Sequence, residues 1–228
     1  MILLQITTET PIDTTALDSA AAESVSILDL LLKGGWVMIP LIILFAVSIY
    51  IFVERIRVVK RAAVVPKQFM EKIRGLVSRG EISAARILCS QTDSPISRMI
   101  EKGVSRIGSP LKSIEAAIEN VGKLELYRLE KNLTLLATIS GAAPMIGFLG
   151  TVTGMIQAFI AIAQEEGNVS PQLLSTGIYE AMITTATGLA VGILAYLGYN
   201  YLVSRVNKVV HQMEYISIDF IDLLQEPT

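Results

Sequence analysis

A single carboxylate stands inside a long stretch without cations. Asn132–Ser204 spans 73 residues with no Lys or Arg, and its only acids are Glu165, Glu166 and Glu180. Glu165 and Glu166 belong to a polar run, Gln164-Glu165-Glu166-Gly167-Asn168-Val169-Ser170-Pro171, whereas Glu180 lies among apolar and small residues. A carboxylate in such surroundings is costly and points to an ion or proton path. The alternative is an interfacial side chain that reaches back to water. On a helix, Thr184 lies about 40° and Thr187 about 20° from Glu180, so these three share a face as candidate pathway residues, while Thr185 lies about 140° away and faces elsewhere. One helix placed between two neighbours can use both faces. Thr134, Thr138, Ser140, Thr151, Thr153 and Gln157 are interleaved with Gly147, Gly150, Gly154 and Ala158, and the Glu180 segment adds Gly177, Ala181, Gly188 and Gly192. Small residues at this spacing let helices approach closely. The threonines fit either a polar conduit or bonds to their own helix backbone.

The charges show what must position these residues. The chain has 228 residues and a net charge of −2, which gives no reason to expect a nucleic-acid partner. The distribution is far from even. Gly34–Val53 is also free of charge, and 16 of the 19 cations fall between Glu54 and Lys131, the others being Lys33, Arg205 and Lys208. A membrane explains this pattern, because a spanning helix needs about 20 mostly apolar residues. The spacing predicts a periplasmic tail over 1–25, an interfacial segment over 26–34 and a first span, TM1, over 35–53. A cytoplasmic helical region follows over 54–131, then TM2 over 132–163, a periplasmic loop over 164–172, TM3 over 173–204 and a cytoplasmic helix over 205–228. The cation-rich side is expected to be cytoplasmic, which puts the N-terminus outside and the C-terminus inside. Met1–Ala22 has neither a basic n-region nor a long apolar run and does not read as a cleaved signal.

The cytoplasmic region reads as helices over Val65–Val77, Glu81–Gln91 and Pro95–Ile107, broken at Pro66, Gly80, Pro95 and Gly108. Ser94-Pro95 and Ser109-Pro110 read as N-cap and N1 pairs. The stripe Leu111, Ile114, Ala117/Ile118, Val121, Leu124/Leu126, Leu129 runs toward TM2 without a strong breaker before Pro144, so one long helix is expected there. TM3 likewise continues through Val206, Val209/Val210, Met213, Ile216, Phe220 and Leu223/Leu224 to a stop at Pro227. Such stripes need partners, from the same chain or from copies of it. TM1 is nearly pure hydrocarbon, with Trp36 at the outer interface, and is suited to face lipid. Three spans are too few to enclose a pore well, so a conduit lined by TM2 and TM3 implies several copies around an axis.

Other chemistries are poorly served. One Cys and one His exclude a disulfide framework and most zinc sites, so no metal or cofactor is expected. Thr138-Ile139-Ser140-Gly141 faintly suggests a serine nucleophile, but His211 lies outside the spans, so no Ser–His pair is available and no enzyme is expected. His211 reads as a solvated or packing residue and Cys89 as core filler.

Ala143-Pro144-Met145-Ile146-Gly147-Phe148-Leu149-Gly150-Thr151-Val152-Thr153-Gly154-Met155-Ile156 resembles the second-span motif of the ExbB/TolQ/MotA proton-channel family. Gly177-Ile178-Tyr179-Glu180-Ala181-Met182-Ile183-Thr184-Thr185-Ala186-Thr187-Gly188-Leu189-Ala190 is similar to its third-span motif. The resemblance covers about residues 25–225 and is nearest the ExbB branch, with TolQ as the alternative. It implies an all-α integral membrane protein that forms a pentamer in the inner membrane around a central pore. Two copies of an ExbD- or TolR-like single-span partner would each place a helix in that pore, the partner's Asp carrying the proton. Motion would be relayed to a TonB-like protein that serves outer-membrane transport. By motif position Thr151 and Thr185 match the family's pore threonines and Glu180 its third-span glutamate. Members commonly carry a Pro soon after the third-span Gly-Leu. Gly192-Ile193-Leu194-Ala195 has none, which removes the reason to expect a kink there. A non-conducting oligomeric scaffold for a single-span partner is the reading from a different class.

Overall fold

The computed structural model describes residues 34–64, 66, 68–164 and 171–225. The expected tail over 1–25, most of the interfacial segment, the loop after Gln164 and the stop at Pro227 lie outside them. Seven α-helices make up the described fold, with no strand among the described residues: α1 (Met38–Ala62), α2 (Phe69–Ser78), α3 (Ile82–Gln91), α4 (Pro95–Val104), α5 (Leu111–Glu130), α6 (Leu133–Gln164) and α7 (Pro171–Gln225). The apolar parts of α1, of α5 with α6, and of α7 are long enough to cross a membrane.

α1 carries two different faces. Ile39, Ile42, Ile43, Ile49 and Tyr50 are exposed, while Leu41, Ser48, Ile51, Arg55 and Val59 are buried against the other long helices. The helix continues past Val53 to Ala62, so the first cations ride on it, with Lys60 and Arg61 in its last turn, where they favourably meet the negative end of the helix dipole.

The cation-rich segment folds into α2, α3 and α4, close to the expected spans and separated at Gly80, whose φ is +76°. Ser94 caps α4 as expected: its Oγ accepts from the Ser97 N–H at 3.0 Å, and Ser97 Oγ accepts from the Ser94 N–H at 3.2 Å. The second pair is shifted. Pro110 itself is the N-cap of α5, with φ −54° and ψ 138°, and no side chain caps that end. Its extended ψ starts the helix one residue later than the Ser109-Pro110 spacing suggested.

One expectation is corrected outright. α5 and α6 are two helices, not one, because Lys131 turns extended and Asn132 adopts φ +63°. Asn is among the few residues that tolerate this left-handed conformation, and its carbonyl then accepts the Leu136 N–H at 3.3 Å to start α6. By contrast α7 is continuous over 55 residues, roughly 80 Å at the α-helical rise. Its far half supplies the core of the helical bundle formed with α2 to α5. Leu202, Val206, Val209, Met213 and Phe220 are buried, and Phe220 packs so closely on α4 that a Cβ at Gly103 would stand 2.6 Å from its ring. The stripe thus finds its partners within the chain.

Candidate functional site

The site is built on the antiparallel seam between α6 and α7, where two backbones nearly touch. A Cβ at Gly147 would stand 2.8 Å from the Thr184 carbonyl oxygen and 3.1 Å from the Gly188 Cα. One at Gly188 would stand 2.6 Å from the Ala143 carbonyl oxygen and 2.9 Å from the Gly147 Cα. Gly154 faces Ala181 and Gly177, Gly150 faces the Thr184 side chain, and Gly192 lies on the Pro144 ring. Pro144 stays within α6 although it cannot donate to the Ser140 carbonyl. Gly192 is the residue that closes over that carbonyl.

Two threonine hydroxyls converge on one carbonyl at this seam. Thr185 Oγ1 donates across the helices to the Gly147 oxygen at 3.0 Å. Thr184 Oγ1 donates to the Ala181 oxygen of its own helix at 2.8 Å and lies 3.5 Å from the same Gly147 oxygen. That oxygen also serves the Thr151 N–H in the ordinary helix ladder. The expected division, with Thr185 turned to a different neighbour, is therefore corrected: adjacent residues straddle a close seam and both reach its centre. Thr184 is 1% exposed and sealed between the helices, whereas Thr151, Thr185 and Thr187 are half-buried. Thr151 Oγ1 donates to the Phe148 carbonyl at 2.6 Å and Thr153 Oγ1 to the Leu149 carbonyl at 3.0 Å.

Glu180 lies one helical turn before Thr184, about 6 Å along the axis. It is half-buried and its carboxylate lies against Gly35, just ahead of α1, where a Cβ would push that flexible side chain aside. Gly35 has φ +66°, which favours glycine there. Glu180 is thus level with the start of the first span, while Thr184 and Thr185 lie deeper.

A polar chain below the spans was missed by the sequence reading. Glu125 is 3% exposed on α5, and its carboxylate accepts from Arg98 at 2.8 Å and from Arg128 at 2.5 Å. Arg98 also meets Asp93 at 2.7 Å, and the paired Glu125 holds its guanidinium more firmly protonated than usual. Arg55, buried on α1, donates to the Arg128 carbonyl at 3.1 Å and pairs with Glu54 at 2.6 Å, next to the Asn132 break. The signal was available: Glu125 lies four residues from both Val121 and Leu129, and Arg55 four from both Ile51 and Val59, so both charges interrupt core-facing stripes.

Other reactive groups are placed elsewhere. Burial pushes the Cys89 thiol up to about 12, so it is not a thiolate at neutral pH. His211 is exposed beside Glu214 at 3.3 Å on α7. Among the described residues no group of three His, Cys, Asp or Glu side chains could hold a metal ion.

The pattern of the MotA/TolQ/ExbB proton channel family matches residues 91–215, which take in α4, α5, the seam and most of α7. The chain belongs to this family. Among proteins similar to it, a biopolymer transport protein ExbB homolog of Methanothermobacter thermautotrophicus is 29% identical, covering 84% of this chain and 68% of that one. The Tol-Pal system protein TolQ of Haemophilus influenzae is 30% identical over 80% of this chain and 86% of its own. The ExbB-like 1 protein of Synechocystis sp. is 31% identical over 84% of this chain and 75% of its own. Both ExbB-named and TolQ-named proteins thus match most of this MotA/TolQ/ExbB chain. It is an all-α, multi-pass membrane protein of a channel family.

Proposed function

We propose that the chain is the inner-membrane stator and proton-pathway subunit of an energising complex. It couples the proton-motive force, through an ExbD- or TolR-like single-span partner, to work in the envelope, with TonB-dependent transport as the first reading and a TolQ-like role as the second. A homopentamer around two partner helices, the N-terminus periplasmic and the C-terminus cytoplasmic, is the assembly this reading uses. The observation that carries it is the rigid glycine seam that presents Thr151, Thr185 and Thr187 half-buried, with Glu180 on the same helix, inside a segment without cations. The potential supplies about 2.3 kcal/mol per charge per 100 mV, which is the energy each proton would bring to the complex. Thr184, sealed in the seam, has a packing role and not a lining one.

One observation favours the non-conducting scaffold. Thr151, Thr153 and Thr184 all spend their hydroxyls on backbone carbonyls, as packing threonines do. The two readings separate on Thr151→Val with Thr185→Val. We expect this variant to assemble with its partner, as judged by co-purification, and to lose energy-dependent uptake at least ten-fold. Full uptake by an assembled double variant would remove the threonines from the pathway.

A further inference from the structure

Two neighbouring pockets lie along α1 and α7 and share Tyr201 as a wall, together forming a groove. Its membrane part, about 530 Å3, is walled by Phe45 and Phe52 of α1, Leu136 of α6, and Leu194, Leu197 and Tyr201 of α7. The one other hydroxyl in this wall, Ser48, donates to its own helix at the Phe45 carbonyl, 2.8 Å away, so the surface offers water nothing. Past Tyr201 a second pocket of about 240 Å3 lies between Lys60 of α1 and Arg205 and Lys208 of α7. No carboxylate lines this second part, and none of the three cations has an acidic partner among the described residues. Arg205 is held in place by Tyr201: its Nε donates to the Tyr201 hydroxyl at 3.1 Å, and its guanidinium carbon lies 5.1 Å from the ring centroid.

We propose that this groove binds one anionic phospholipid, an acyl chain between Phe52 and Leu197 and the phosphate among Lys60, Arg205 and Lys208. The charges decide the occupant. Three unpaired cations at the end of an apolar trough fit a group with a hydrocarbon tail and a negative head, and they disfavour another apolar helix, which would leave them unneutralised. Clusters of Lys and Arg just past a span are the usual electrostatic attraction for acidic headgroups. Tyr201 marks the boundary, its ring in the apolar part and its hydroxyl at the cationic end, as interfacial tyrosines do. The site rests on the membrane reading alone and does not require proton conduction. Its tenant would wedge α1 against α7.

The test uses the full chain purified in detergent and offered equal phosphatidylglycerol and phosphatidylcholine of matched acyl chains, with retained lipid read by native mass spectrometry. We expect phosphatidylglycerol to be retained at least ten-fold over phosphatidylcholine. Each of Lys60→Gln, Arg205→Gln and Lys208→Gln should lower that ratio about five-fold. Leu197→Trp, at a position 59% exposed in the groove wall, should reduce retention of both lipids. Equal retention of the two lipids by the unaltered chain overturns the proposal, whatever the variants do. So does a preference that survives all three neutralisations together. A benzophenone side chain at position 197 gives an independent reading in native membranes: crosslinks to lipid support the site, and crosslinks to a second copy of the chain overturn it.

Discussion

Glu180 and Glu125 are both carboxylates in apolar settings, and they differ in what surrounds them. Glu125 is answered by two guanidinium groups and is a structural charge; among the described residues Glu180 has no such ion pair. Glu125→Gln is expected to cost about 1–3 kcal/mol, because Arg98 and Arg128 lose a charged acceptor while keeping partial access to water. Chemical denaturation of the purified chain, followed by helical circular dichroism, measures this; an unchanged midpoint would contradict the assigned role. Glu180→Gln is expected to leave the midpoint alone and to act on function. The sequence exposed Glu180 readily, because it is the one acid of the 73 cation-free residues that lies outside the polar run at 164–171 and among apolar and small residues. Glu125 was missed among the other charges, although its register on a core-facing stripe was the signal that could have found it.

At the scale of elements, the seam depends on missing side chains. A methyl at Gly188 would press on the Ala143 carbonyl and the Gly147 Cα, both backbone, so nothing flexible can yield. Gly188→Ala is therefore expected to destabilise the helix pair by about 1–3 kcal/mol, the usual cost of overpacking, and to lower the thermal midpoint of the purified protein. A midpoint equal to that of the unaltered chain would show that the backbones do not approach as described. The spacing of small residues was enough to find the two helices and the faces they share. Which hydroxyl meets which carbonyl was not legible, because helical angles treat each helix alone, whereas Thr184 and Thr185 straddle a contact close enough for both to reach Gly147. The break at Asn132 escaped for a related reason: a single left-handed Asn leaves the apolar stripe intact on either side.

The molecule as a whole joins a membrane part to a cation-rich helical bundle through one unbroken helix. α7 passes through both, with Glu180, Thr185 and Thr187 near one end and Phe220 clamped under Gly103 near the other. The three span-length helices and the short helices of the cation-rich segment could be read from charge and periodicity, since both follow from the contrast between hydrocarbon and water. A displacement at the seam therefore has a stiff path into the bundle, and the Arg55, Arg128 and Glu125 chain ties α1 and α5 into the same frame. Such a frame is suited to stay still while a partner moves inside it.

The most direct test of the central claim is proton flux. The chain and its single-span partner are reconstituted in liposomes with a pH-sensitive dye inside, and a potassium diffusion potential is imposed. The unaltered complex is expected to carry protons inward, and the Glu180→Gln complex, assembled to the same extent, to fall at least ten-fold toward the rate of empty liposomes. Equal flux through both complexes would contradict a pathway role for Glu180.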